Sequence, residues 1–163
     1  MPNISASSWG VYKKSNPTEL LFGFRVRSKR EIASISKVMT CIICLDLIKE
    51  IECDPSDTYI QVNSRAANIK GTTAKLKKSD IISVTDLLFG LMLPSGNNAA
   101  YSLAENFGEY LKEKYLAHGD QITQQKLKYK SHMEVFVKEM NNYATRLNLK
   151  STSFYNPHGL TAK

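Results

Sequence analysis

Ile32-Ala33-Ser34-Ile35-Ser36-Lys37-Val38-Met39-Thr40, running on into Cys41-Ile42-Ile43-Cys44-Leu45-Asp46-Leu47-Ile48, is the stretch that decides the fold. Val38, Met39, Ile42, Ile43, Leu45, Leu47 and Ile48 make it apolar almost all round. That pattern predicts a buried core helix opening at Ser34 and ending near Glu50. Ser34 and Lys37 stand three apart, so on a helix one side chain lies above the other. A serine hydroxyl becomes a competent nucleophile only when a neighbouring base takes its proton. A lysine can be that base when burial favours its neutral form, at about 1.4 kcal/mol per unit of downward shift. The apolar helix behind Lys37 is such a shelter.

The chain has 163 residues, enough for one domain with a real core. Its longest apolar runs, Val38 to Ile48 and Leu87 to Leu93, are far shorter than a membrane span, and Asp46 interrupts the first. Met1 to Ala6 has neither a basic nor an apolar leader region, so an intracellular or organellar location is the expectation. The net charge is +7, with lysines concentrated from Lys70 to Lys78 and from Lys112 to Lys130. Tyr110, Tyr115 and Tyr129 flank the second cluster, but no reader motif accompanies them. A solvated basic face is the reading, and nucleic acid is not an expected partner. Cys41, Cys44 and Cys53 form no disulfide framework, and the C-x-x-C lies inside the apolar helix rather than at its start. They read as buried reduced thiols. The histidines have no spacing that would complete a zinc site.

Two β-like runs, Ser7 to Tyr12 and Leu20 to Arg27, flank the turn-rich Lys13 to Glu19 and predict a hairpin. Tyr59 to Val62 reads as a brief strand, Ser64 to Ile69 as a short helix and Gly71-Thr72-Thr73 as a turn. Ser83-Val84-Thr85-Asp86 has the form of a capping box before the apolar helix Leu87 to Leu93, which Pro94 ends. Asn98 to Phe107 predicts another helix, closed by Gly108. Residues 110–130 have poor periodicity around His118-Gly119-Asp120 and read as an inserted, mobile basic excursion. Met133 to Leu147 is amphipathic through Val135, Phe136, Val137, Met140, Tyr143, Ala144 and Leu147.

Pro94-Ser95-Gly96-Asn97 falls in the break between two helices. A hydroxyl and a carboxamide two residues apart offer a proton relay and a donor–acceptor pair for a substrate amide. An ordinary polar helix cap explains the same letters. Taken with Glu31 to Thr40, with Gly71 to Asp80 running into Val84 to Leu93, with Ser95 to Ala100 and with Phe154 to Leu160, however, the chain resembles the serine D-alanyl-D-alanine carboxypeptidases. These are members of the penicillin-binding protein and serine β-lactamase superfamily, for which Ser-x-x-Lys, a Ser-x-Asn-type triplet and Lys-Thr-Gly are the described general motifs. The resemblance covers nearly the whole chain apart from about residues 110 to 130.

The resemblance implies an α/β fold of the α+β type, a helical cluster packed on an antiparallel sheet. It also implies that residues 1–163 are a single incomplete transpeptidase-like domain, with only the N-terminal hairpin of that sheet present. Ser34 would attack a peptide or β-lactam-like carbonyl and form an acyl-enzyme, and Lys37 would accept its proton. Ser95 would relay a proton to the leaving nitrogen, and Asn97 would bind the substrate amide and orient Lys37. The Ser34 backbone N–H would be one of two oxyanion donors. His158 would be structural, and no metal or organic cofactor is implied. Lys-Thr-Gly does not occur in the 163 residues, and Lys70-Gly71-Thr72 has its letters in the wrong order and place. In the family that third motif follows the second on a strand bordering the cleft, where it binds the substrate carboxylate and gives the second oxyanion donor. Two readings follow. In one, the chain is an acyl-serine hydrolase completed by a second chain or by sequence beyond that given. In the other, it is a catalytically inactive relative serving as a structural or binding subunit.

Overall fold

The computed structural model describes residues 4–161. The chain divides into two compact units, residues 1–31 and 32–163.

The first unit is an antiparallel hairpin of β1 (Trp9–Lys13) and β2 (Asn16–Phe24), registered Trp9 to Phe24 and Gly10 to Gly23. The predicted loop is shorter than expected, because Asn16 already belongs to β2 and its Oδ1 accepts from the Thr18 N–H. Val26 lies over the facing glycines: a Cβ on Gly23 would come within 2.5 Å of its Cγ1. Every residue of β2 is exposed, Phe22 at 69 %.

The second unit is built around helices. A 3-10 turn (Ala33–Ile35) leads into α1 (Ser36–Ile51). Then come β3 (Tyr59–Gln61), α2 (Ser64–Ala67), β4 (Ile81–Ser83), α3 (Val84–Met92), α4 (Asn97–His118), α5 (Gln121–Lys128) and α6 (His132–Arg146). β3 and β4 pair antiparallel, Tyr59 opposite Ser83, and Val62 continues the ladder to Asp80 and Ser79. Ser83 caps α3 by accepting from the Asp86 N–H, as its sequence predicts. Ser131 and Glu134 form a full capping box on α6.

α4 is the central element and packs against α1, α2, α3, α5 and α6. Its inward face, Ala99, Ala100, Leu103, Ala104, Phe107 and Leu111, meets Ile43 and Cys44 of α1, Leu87 and Leu91 of α3, and Val135, Phe136 and Met140 of α6 in one core. Gly108 does not close the helix as predicted. A Cβ there would sit 2.2 Å from the His132 carbonyl oxygen, so this glycine lets α4 and the start of α6 touch backbone to backbone. Residues 110–130 form the end of α4 and α5, with a break at 119–120, and are anchored by Leu111 and Leu127, each 2 % exposed. A buried carboxylate, Glu139, joins α4 to α6 by accepting from Tyr115, Asn142 and Arg146, which makes its burial tolerable. α1 is buried on one face only. Val38, Ile42 and Leu45, read as core, are 45, 39 and 50 % exposed. No helix among the described residues is long and apolar enough to cross a membrane.

Candidate active site

Ala33 adopts φ 46°, a left-handed conformation unusual for a residue with a Cβ. The chain then tightens into the 3-10 turn that carries Ser34. Ser34 is exposed, whereas Lys37, on the first turn of α1, is 2 % exposed. The lysine Nζ lies 3.1 Å from Ser34 Oγ and donates to the His158 carbonyl oxygen at 2.9 Å. Burial lowers the Lys37 pKa from the ordinary lysine value, which moves the amine toward the form that can accept a proton. An accessible hydroxyl beside a sheltered amine is the pair the sequence predicts.

The second predicted pair is placed differently. Ser95 has φ 55°, and its carbonyl accepts from Thr72 Oγ1 at 2.5 Å. Its own Oγ is buried and has no hydrogen-bond partner among the described residues. Asn97 is 2 % exposed. Its backbone N–H donates to Thr72 O at 2.8 Å, its Nδ2 to Lys70 O at 2.7 Å, and its Oδ1 receives only a long contact, 3.5 Å, from Thr72 Oγ1. Asn98 continues the staple, accepting from the Ala74 N–H and donating to Thr73 Oγ1. Asn97 therefore bonds the 70–72 loop, not Lys37 as the resemblance implied. Gly71 belongs to the same cluster: at φ 91°, a Cβ on it would lie 2.6 Å from Asn97 Nδ2 and 3.4 Å from Leu160 Cδ2.

Sequence reasoning missed the role of Thr72, Thr73 and the 156–160 turn. Gly71, set among threonines, was the available signal for the loop. For the turn, Asn-Pro-His-Gly was visible, but not that its carbonyls face α1. The two thiols on α1 are free; burial pushes both pKa values up, and Cys41 adds to the shift at Cys44. They are poor nucleophiles at neutral pH.

Residues 1–113 match the family model described as D-alanyl-D-alanine carboxypeptidase. The chain is 31% identical to the D-alanyl-D-alanine carboxypeptidase DacD of Escherichia coli over 166 residues, spanning 99% of this chain and 37% of that protein. It is 32% identical to a Streptomyces D-alanyl-D-alanine carboxypeptidase, spanning 94% of this chain and 47% of that one. The crystal structure of DacD from Francisella tularensis superposes with a TM-score of 0.78 at 25% identity, covering 99% of this chain and 33% of that one. Penicillin binding protein 6B from Escherichia coli gives 0.70 at 30% identity, covering 99% and 45%. The chain thus spans a third to a half of the length of these four relatives.

Proposed function

The chain belongs to the D-alanyl-D-alanine carboxypeptidase family, and from that premise we propose that it carries the nucleophilic part of an acyl-serine hydrolase acting on peptide or β-lactam carbonyls. Ser34 Oγ bonds to the acyl carbon while its proton passes to Lys37 Nζ and the carbonyl π pair moves onto oxygen. The Ser34 backbone N–H stabilises that oxyanion. Collapse expels the leaving nitrogen, which takes a proton relayed through Ser95 Oγ. Water then cleaves the Ser34 ester. Asn97 Oδ1, nearly unused within the protein, accepts the substrate amide N–H.

The observation that carries this reading is the 3.1 Å approach of the buried Lys37 amine to the exposed Ser34 hydroxyl. Its test is a fluorescent penicillin. Covalent labelling of the wild-type chain, abolished in Ser34→Ala, is expected. A wild-type chain that stays unlabelled at high reagent concentration overturns it and leaves the inactive-subunit reading.

A partner belongs to the same proposal. Ile35, Val38, Ile42 and Leu45 recur at three- and four-residue spacing along the 3-10 turn and α1, and all are exposed. The hairpin has open edges, which invite strand pairing. Polypeptide bearing the remaining strands and Lys-Thr-Gly, as a second chain or as further sequence, would cover that stripe and provide the second oxyanion donor. Purification from the native source should then recover Lys-Thr-Gly-containing polypeptide with this chain. A stable monomer of these 163 residues argues against it.

A further inference from the structure

The amine of Lys37 is not held by its own helix. Its second hydrogen bond goes to a main-chain carbonyl 121 residues away, at His158. One turn along α1, Thr40 is 0 % exposed and donates to the neighbouring carbonyl, Pro157, at 2.8 Å. One turn the other way, Gly159 (φ 82°) presses against Ala33, where a Cβ would fall 1.8 Å from the carbonyl oxygen. Lys37 and Thr40 stand three apart on one face of α1, and Ala33 lies just ahead of it in the 3-10 turn. Residues 157–159 therefore touch α1 at Thr40 and Lys37 and the 3-10 turn before it at Ala33.

The turn is braced from its far side. Asn156 Oδ1 accepts from the Gly159 N–H at 2.6 Å, and Asn156 Nδ2 donates to Leu160 O at 2.7 Å. The His158 ring joins in, its Nδ1 accepting from the Leu160 N–H at 3.1 Å. Upstream, Asn141 of α6 exchanges two hydrogen bonds of 2.9 Å with the Phe154 backbone. The 158 carbonyl thus reaches Lys37 from a frame fixed to both α1 and α6.

We propose that the 156–160 turn, locked onto α1 by the Thr40 hydroxyl, is the device that positions the Lys37 amine toward Ser34, with Thr40 as a positioning residue. A neutral amine has two N–H donors and one lone pair. Giving one N–H to the 158 carbonyl restricts rotation about the last side-chain bond and leaves the lone pair free to face the Ser34 hydroxyl. When the proton moves from Ser34 Oγ to Lys37 Nζ, the same carbonyl holds the new ammonium through a charge-assisted bond. Thr40 matters because it ties down the adjacent peptide. The His158 imidazole on the turn is the titratable group that feels the amine: the Lys37 charge helps to hold its pKa down. This inference rests on the reading of Ser34 and Lys37 as nucleophile and base, but its primary test does not require turnover.

That test is the NMR titration of Lys37 in chain labelled with carbon-13 at lysine Cε, comparing wild type with Thr40→Val and Thr40→Ser. In Thr40→Val the freed turn admits water, so Lys37 should titrate closer to an ordinary lysine, while Thr40→Ser, which keeps the hydroxyl, should titrate like wild type. An unchanged titration in a folded Thr40→Val overturns the proposal. If Thr40→Val does not fold, Gly159→Ala, which pries the turn away from Ala33, must give the same displacement or the proposal falls. Where the wild type is acylated by penicillin, Thr40→Val should slow acylation roughly 10- to 100-fold with little change in pre-covalent affinity. A wild type with a depressed Lys37 titration and no acylation would remove the hydrolase reading and leave the positioning device standing.

Discussion

At Ser34 the two predicted side chains bond to each other; at Ser95 the two predicted side chains do not, and Asn97 bonds the loop around it instead. Lys37 reaches both Ser34 Oγ and the His158 carbonyl, so nucleophile, amine and clamp form one connected group. Asn97 instead spends its Nδ2 on Lys70 O, Thr72 spends its hydroxyl on Ser95 O, and the Ser95 hydroxyl has no partner among the described residues. A pair one helical turn apart is delivered by the helix itself. The second motif has to be assembled from loops more than 20 residues apart, and its polar groups are used to assemble it. Both ends store backbone strain, Ala33 at φ 46° and Ser95 at φ 55°, a conformation that costs such residues of order 1–3 kcal/mol.

The largest expected effect separates the two ends by chemistry against stability. Lys37→Met keeps the length and volume of the side chain and removes the amine. Penicillin acylation should fall by a factor of roughly 10² to 10⁴, the range for loss of a general base. The urea midpoint should change little, because the apolar side chain removes the cost of burying an amine while the His158 carbonyl loses its donor. A large loss of stability would mean that the lysine is chiefly a structural strut.

The clamp on Lys37 also has a pH signature. Burial, and then the Lys37 charge, hold the His158 imidazole down to about 4. In the unfolded chain it titrates near 6.5. Above pH 6.5 it is neutral in both states and contributes no pH dependence. Between 6.5 and 4 the unfolded chain takes up a proton that the folded chain refuses, so stability falls as the pH falls, by an amount that solvent around the partly exposed ring keeps small, and levels off below 4. Glu134, held near 2 by its bonds to Lys130 and Ser131, adds a slope of the same sign at lower pH. Urea midpoints at pH 7 and 4.5 should therefore converge in His158→Asn relative to wild type. Equal slopes in the two proteins would show the ring is not sheltered.

What could be read from the sequence follows the same division. The Ser34–Lys37 spacing, the Ser83 cap and the 132–146 helix are local patterns, and local patterns survive folding. Gly108 was misread because a glycine closing a helix and a glycine admitting a neighbouring backbone look alike in one dimension. The lysines of 110–130 hid Leu111 and Leu127, too few apolar residues to set a period. The β3–β4 pairing rests on three-residue strands set far apart in sequence, with no hairpin turn to announce it. α1 was apolar enough to read as buried all round, but hydrophobicity alone does not say how many neighbours a helix has. Asn97 was assigned to Lys37 by family pattern, and its bonds to Lys70 and Thr72 come from a loop whose docking no periodicity encodes.

The finest distinction lies within the second motif. Asn97→Ala removes a buried amide that donates to the Lys70 carbonyl, and should destabilise the fold by about 0.5–1.5 kcal/mol, the net worth of an ordinary hydrogen bond. Ser95→Ala removes a buried hydroxyl that has no partner among the described residues, so its stability change should be near zero or slightly favourable. If Ser95 only fills space, acylation should also be unaffected. If its unpartnered hydroxyl is kept for the leaving nitrogen, acylation should slow while the urea midpoint stays put. A residue that costs nothing to the fold when lost, yet matters once substrate is present, is held for chemistry. The opposite result, a stability loss in Ser95→Ala matching that of Asn97→Ala, would make the whole second motif a loop fastener and leave the Ser34 end as the chemically equipped part of the site.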